Sequence, residues 1–258
     1  MRNAEYTTTF SNVARLMPGE APASLAQRER IALYSMVYGL APQACLEIGT
    51  FRGGSAFIIS GALDDIGLDG RLLCIEPFVD GIDREMIKAT AHNTTIHQGY
   101  FPTDVPIEFC GQGTEGLFEF CFYDGDHTYE GVRDHLIVLP RWMKPGSFVL
   151  CHDGYNAYQA RGIREAVQHG GYVDCGMITR CVNDIADPEQ VYGGMRLLKI
   201  RRTSRQFVAY GIVTQAVPTA YRTNPMIGGA KIYYSVNSRQ SNIQSIGNSA
   251  GANAFSSN

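Results

Sequence analysis

The sequence predicts an α/β fold, a doubly wound and mostly parallel sheet with helices on both faces, and three observations predict it. Short apolar runs of strand length alternate with stretches of helical periodicity from about residue 25 to 200, and that alternation calls for crossover connections between parallel strands. The first such run stops at a glycine turn that opens straight into a helix, Cys45-Leu-Glu-Ile-Gly-Thr-Phe-Arg-Gly-Gly-Ser55. Four of the predicted strands end in Glu47, in Glu76, in Asp124 with Asp126, and in His152 with Asp153, at the edge of the sheet where such folds gather their ligands.

Each element has its own signal. Ser24 with Gln27 makes a capping-box pattern, and Arg30, Leu33, Tyr34 and Val37 follow at helical spacing until Gly39. Ala44 to Ile48 is a buried strand, Gly49 to Gly54 a turn, and Ala56 to Leu63 a helix whose free N–H groups and missing Cβ atoms suit close approach of a ligand. Glu47 in that turn argues against a pyrophosphate, and the G-x-x-x-G-G spacing is not the dinucleotide fingerprint. A ligand carrying positive charge and an adenosine fits better. Arg71 to Glu76 is a second strand, and its terminal carboxylate stands where a ribose diol needs a two-acceptor partner.

Residues 83 to 92 read as a helix and Thr94 to Tyr100 as a third strand, followed by a loop until Gly116. Leu117 to Tyr123 is a strongly apolar fourth strand. Thr128 to Trp142 is a helix with Val132, Leu136 and Leu139 on one face, closed by a Lys144-Pro-Gly146 turn. Ser147 to Cys151 is a fifth strand and Ile163 to His169 a helix, while Tyr172 to Thr179 and Met195 to Ile200 close the sheet. Beyond residue 202, Gln206 to Thr214 and Lys231 to Val236 could pair as a hairpin, and from Asn237 the composition is that of a tail ordered, if at all, by a neighbour.

Composition bounds the function. The seven cysteines are odd in number and form no C-x-x-C pair, and Cys45, Cys74, Cys121 and Cys151 lie in apolar runs. They read as buried thiols of a reducing, cytoplasmic compartment. No apolar run approaches the roughly 18 residues of a membrane span. The net charge of −3 divides into −11 up to Glu189 and +8 after it, a basic tail expected to face an acidic body within or between the subunits of a homo-oligomer. Nucleic acid fits less well, because the tail's charges are scattered singly after Arg205. The expected organisation is an N-terminal segment over 1–24, a ligand-binding domain over 25–202 and a basic extension over 203–258.

The glycine turn resembles the first motif of class I S-adenosylmethionine-dependent methyltransferases, acidic-x-Gly-x-x-x-Gly-x-Ser, matched by Glu47, Gly49, Gly53 and Ser55. Asp124-Gly-Asp-His-Thr-Tyr-Glu-Gly131, with His152-Asp153 after the next strand, resembles the macrocin-type branch that methylates sugars of natural products. The resemblance covers roughly residues 25 to 200 and implies a Rossmann-like fold. It also implies a cofactor set of Glu47, Gly49, Thr50, Phe51, Gly53, Ser55, Glu76, Tyr100 and Asp124, and a small-molecule hydroxyl acceptor. In the family the first aspartate and the acidic pair hold a divalent metal, here Asp124, His152 and Asp153, with Asp126 or His127 as the base.

His152 stands where that branch has a carboxylate, and an imidazole among oxygens suits Mn²⁺, Fe²⁺ or Zn²⁺ better than Mg²⁺. Two other readings stay open: His152 as a metal-free base, or His152 and Asp153 as caps of the following turn. A metal-dependent oxygenase on the same fold and a non-catalytic cofactor-binding scaffold are the rival functions.

Overall fold

The computed structural model describes residues 23–67, 69–82, 94–106, 116–180, 191–201, 220–223 and 233–236. The predicted helix at 83–92, the strand at 206–214, most of the loop at 101–116, and Cys110 and Cys181 lie outside them. The chain divides into two compact units, residues 1–214 and 215–258.

The first unit is built on a seven-stranded sheet: β1 (Ala44–Ile48), β2 (Arg71–Glu76), β3 (Thr94–Gln98), β4 (Phe118–Tyr123), β5 (Met143–Cys151), β6 (Tyr172–Met177) and β7 (Arg196–Ile200). Their order across the sheet is β3-β2-β1-β4-β5-β7-β6. All neighbours pair in parallel except β7, which runs antiparallel between β5 and β6. The doubly wound, mostly parallel sheet expected from the alternation is therefore present. The placing of the last strand inside the sheet, and its reversed direction, have no local sequence signal.

Period-2 alternation assigns the two faces. Cys45, Leu72, Cys74, Phe120, Phe122 and Leu150 pack under α1 (Gln27–Leu40) and α2 (Gly54–Ile66). Leu46, Ile48, Leu73, Cys121, Tyr123 and Val149 face α3 (Tyr129–Val138) and α4 (Ala157–Gln168). β1, β2 and β4 are buried on both faces and read as nearly continuous apolar runs, as central parallel strands do. Cys45, Cys74, Cys121 and Cys151 are free thiols in this core. No helix among the described residues is long and apolar enough to cross a membrane.

Several boundaries differ from the sequence reading; α3, for one, ends at Val138 and not at Trp142. α1 is capped at Ala26 and not at Ser24: the Glu29 carboxylate accepts from the Ala26 N–H at 2.8 Å, so the acid of the box is Glu29 and alanine has no oxygen to return the bond. β5 begins at Met143, opposite Phe118, and the Lys144-Pro-Gly146 stretch is an irregularity within the strand, with Gly146 at φ +89°, before pairing resumes at Phe148 opposite Phe120. α4 starts six residues early because the Asn156 side chain caps it, accepting from the N–H groups of Tyr158 and Gln159. In the second unit, Tyr233–Val236 (β9) pairs antiparallel with Ala220–Thr223 (β8), a stretch read from sequence as part of the connection.

Candidate active site

The carboxyl ends of β1 and β4 converge because Gly49 lets them. Its φ is +85°, and a Cβ there would lie 2.2 Å from the Asp124 carbonyl oxygen and 2.7 Å from the Gly125 Cα. Glycine is needed at this point by the crossing of the β1 and β4 turns. Gly54 is likewise closed in by the Ala23 backbone, since a Cβ there would lie 2.3 Å from the Ala23 nitrogen. The glycines thus make room for the protein's own chain as much as for a ligand. Gly53, at φ +89°, is the N-cap of α2, and no side chain caps that helix, which leaves its first-turn N–H groups to a ligand.

Glu47 is fully buried. One carboxylate oxygen accepts from the Thr50 hydroxyl at 2.8 Å, and the other has no hydrogen-bond partner among the described residues. Burial raises its pKa to about 7, against the donors Ser55, Thr50 and Cys74 and with help from the Asp124 charge. Because the folded protein holds this proton more tightly than the unfolded chain, whose value is near 4.5, its contribution to stability is full below about pH 4.5. It is lost as the pH rises through 7, a change on the order of 3 kcal/mol. Glu47→Gln is expected to remove that part of the pH dependence, so that denaturant unfolding finds the variant more stable than the wild type at pH 8 but not at pH 4.5. Equal slopes of stability against pH in the two proteins would refute this.

Glu76 ends β2 and pins the turn. One oxygen accepts from the N–H groups of Thr50 (2.9 Å) and Phe51 (2.8 Å), the other from that of Phe78 (2.9 Å). With about two lone-pair sites per oxygen, one acceptor position remains, enough for one direct bond to a ribose hydroxyl where the sequence suggested two. Phe51 sits at φ +50° and is largely exposed, with the Arg52 guanidinium 5.4 Å from its ring centre. Tyr100 is exposed beyond β3, and its N–H donates to Asp104 at 2.7 Å.

The second part of the site is a compact acid and imidazole cluster. Asp124, His152 and Asp153 each present a ligand atom, all within 4.8 Å of one another. His152 Nδ1 lies 3.2 Å from Asp124 Oδ1 and 3.4 Å from Asp153 Oδ1. His127 Nε2 lies 3.4 Å from Asp124 Oδ1 and 3.7 Å from Asp153 Oδ2, while its Nδ1 is buried with no partner among the described residues. Asp153 holds a left-handed backbone at φ +53°, and its carboxylate accepts from the Gly193 N–H.

Burial opposes charge at Asp124, His152 and His127 and loses. It would raise Asp124, but His152 and His127 hold that carboxyl well below its ordinary range. It would lower His152 and His127, but Asp124 and Asp153 raise both.

Asp126 stands apart from this cluster. One of its oxygens accepts from the Thr128 N–H at 2.7 Å, and the Gly131 Cα is pressed against its carboxylate, where a Cβ would lie 2.2 Å away. Asp126 and Thr128 together shape the start of α3, the Thr128 hydroxyl accepting from the Gly131 N–H. The residue that sequence reading missed is Glu29 of α1, buried with an oxygen 3.4 Å from His152 Nε2.

Comparison with known proteins bears on the family and the fold. Residues 46–154, which run from β1 to the turn after β5, match a family model described as a methyltransferase domain. This stretch is similar to a methyltransferase domain. The fold of the chain is similar to that of the O-methyltransferase TomG of Streptomyces achromogenes, involved in tomaymycin synthesis and solved with SAM. The identity is 18%, the TM-score 0.53, and the match covers 76% of this chain and 91% of that one. It is also similar to an O-methyltransferase from Bacillus cereus solved with SAH, at 17% identity and a TM-score of 0.52, covering 75% and 89%. At these identities the likeness is one of fold. No curated protein sequence matches the chain. The matched stretch contains both the glycine turn and the Asp124, His152 and Asp153 cluster, while Glu29 reaches them from outside it.

Proposed function

We propose that the chain is an S-adenosylmethionine-dependent O-methyltransferase that acts on a hydroxyl of a small molecule, of sugar or natural-product type, with a divalent cation at Asp124, His152 and Asp153. The observation that carries the reading is the contact between cradle and cluster: Gly49 of the turn lies against the backbone of Asp124. A methyl donor in the turn and a hydroxyl at the cluster would be neighbours, as an in-line displacement requires.

The residues fit both groups. The uncapped start of α2 and the remaining acceptor of Glu76 suit an adenosyl ligand, and three convergent ligand atoms including one imidazole suit Mn²⁺, Fe²⁺ or Zn²⁺. Bound there, such a cation would lower the pKa of an acceptor hydroxyl and stabilise the alkoxide. His127 is the base this geometry favours over Asp126. Its Nε2 lies at the cluster, 3.4 Å from Asp124 Oδ1, whereas Asp126 stands apart from the cluster at the start of α3.

The test is titration of the purified protein with S-adenosylmethionine and S-adenosylhomocysteine, followed by transfer of a labelled methyl group to a panel of hydroxylated sugars and polyketide aglycones with Mn²⁺ present. Binding with a dissociation constant in the range of about 1 μM to 1 mM and label in an ether product are expected. Absence of cofactor binding would sink the proposal. One observation favours a second reading: two imidazoles and a carboxylate in one cluster are also the ligand set of non-haem iron oxygenases. Oxygen consumption with Fe²⁺, without methyl transfer, would select it.

A further inference from the structure

We propose that Glu29 is the positioning residue of His152, a carboxylate supplied by the first turn of α1 that holds the Nε2 side of the imidazole and so presents Nδ1 to the cluster. The inference rests on the metal reading above and concerns a residue outside the matched methyltransferase stretch.

His152 is buried between two sets of oxygens. Its Nδ1 faces Asp124 Oδ1 at 3.2 Å and Asp153 Oδ1 at 3.4 Å, and its Nε2 faces Glu29 Oε2 at 3.4 Å. An imidazole that gives one nitrogen to a metal must keep its proton on the other, and a carboxylate opposite that N–H fixes both tautomer and ring plane. Glu29 can do so because it cannot turn away. Its Oε2 accepts from the Ala26 N–H at 2.8 Å and its Oε1 from the Gly194 N–H at 2.5 Å, so the carboxylate is clamped between the start of α1 and the segment entering β7.

Glu29 also supports the fold, so the test must separate support from positioning. Zn²⁺ affinity is measured for the wild type, Glu29→Leu, His152→Ala and the double variant. If Glu29 acts through His152, Glu29→Leu weakens Zn²⁺ binding about 10- to 100-fold in the wild-type background and has little effect once His152 is alanine. A loss of equal size in both backgrounds, or affinity within twofold of wild type in Glu29→Leu, overturns the proposal. Should Glu29→Leu not fold, Glu29→Gln takes its place in the cycle, since an amide keeps the shape without the charge.

A second reading uses the wild type alone. In ¹¹³Cd-loaded, ¹⁵N-histidine-labelled protein, His152 should show cadmium coupling at Nδ1 and a proton on Nε2, and coupling at Nε2 overturns the proposal. A wild-type protein that binds neither Zn²⁺ nor Cd²⁺ brings down the metal reading and this inference together. Binding without a Glu29 effect brings down this inference alone.

Discussion

Removal of divalent metal is expected to abolish methyl transfer, by roughly 10²- to 10⁴-fold, because a Lewis acid contributes several kcal/mol of charge stabilisation. The physical ground is the charge balance of the cluster. Asp124 and Glu29 are both held ionised, and with Asp153 they set three carboxylates against the imidazoles of His127 and His152. An acceptor hydroxyl giving up its proton beside this group would meet negative charge, which disfavours an alkoxide unless a cation is present. Activity after EDTA treatment should return with Mn²⁺, Fe²⁺ or Zn²⁺ at least as well as with Mg²⁺, since one ligand is an imidazole. Full activity in EDTA, with no metal found by elemental analysis, would show the assignment to be wrong.

The second large effect belongs to Gly49. Alanine there must tolerate φ +85° and a methyl group 2.2 Å from the Asp124 carbonyl oxygen and 2.6 Å from its carbon. Left-handed strain of about 1–2 kcal/mol and overpacking of about 1–3 kcal/mol predict a loss of about 2–5 kcal/mol, or a melting temperature lowered by roughly 5–15 °C. Gly67 is the matched control, at φ +69° with nothing near its would-be Cβ, so Gly67→Ala isolates the backbone strain. If the two variants melt together, the clash with Asp124 contributes nothing. Because the methyl group pushes on Asp124 itself, metal affinity should fall in Gly49→Ala and stay unchanged in Gly67→Ala.

Much of this was legible along the chain. The alternation of strand and helix periods gave the parallel part of the sheet, since buried central strands and their crossovers are each encoded locally. The acidic and imidazole residues at strand ends marked one edge of the sheet, and the structure brings Asp124, His127, His152 and Asp153 together there. What was not legible depends on pairs distant in sequence. Nothing near Arg196 says that β7 enters between β5 and β6, because direction and order follow from which edge is left open. Glu29 was passed over, although its spacing to Leu33 and Val37 puts it on the buried face. A carboxylate on an apolar stripe was the signal for it. Gly49 was read as clearing space for a ligand, while the β4 turn that needs the space is contributed by Asp124 and Gly125.

The position of β7 also sets a schedule for synthesis. While the chain is being made, the outer edge of β5 from Phe148 to Cys151 has no neighbour, and β6 has nothing to pair with, until Arg196 to Ile200 emerge. At typical elongation rates that wait is roughly 2–9 s. The same late segment supplies the Gly193 and Gly194 N–H groups that hold Asp153 and Glu29. The nascent protein therefore carries an open, apolar strand edge, a template for wrong pairing, for as long as its cluster lacks two of its supports. In such an order the cluster is completed last, and a ribosome stalled before residue 196 would leave a chain with most of its sheet, an unsatisfied edge and a cluster without the Gly193 and Gly194 supports.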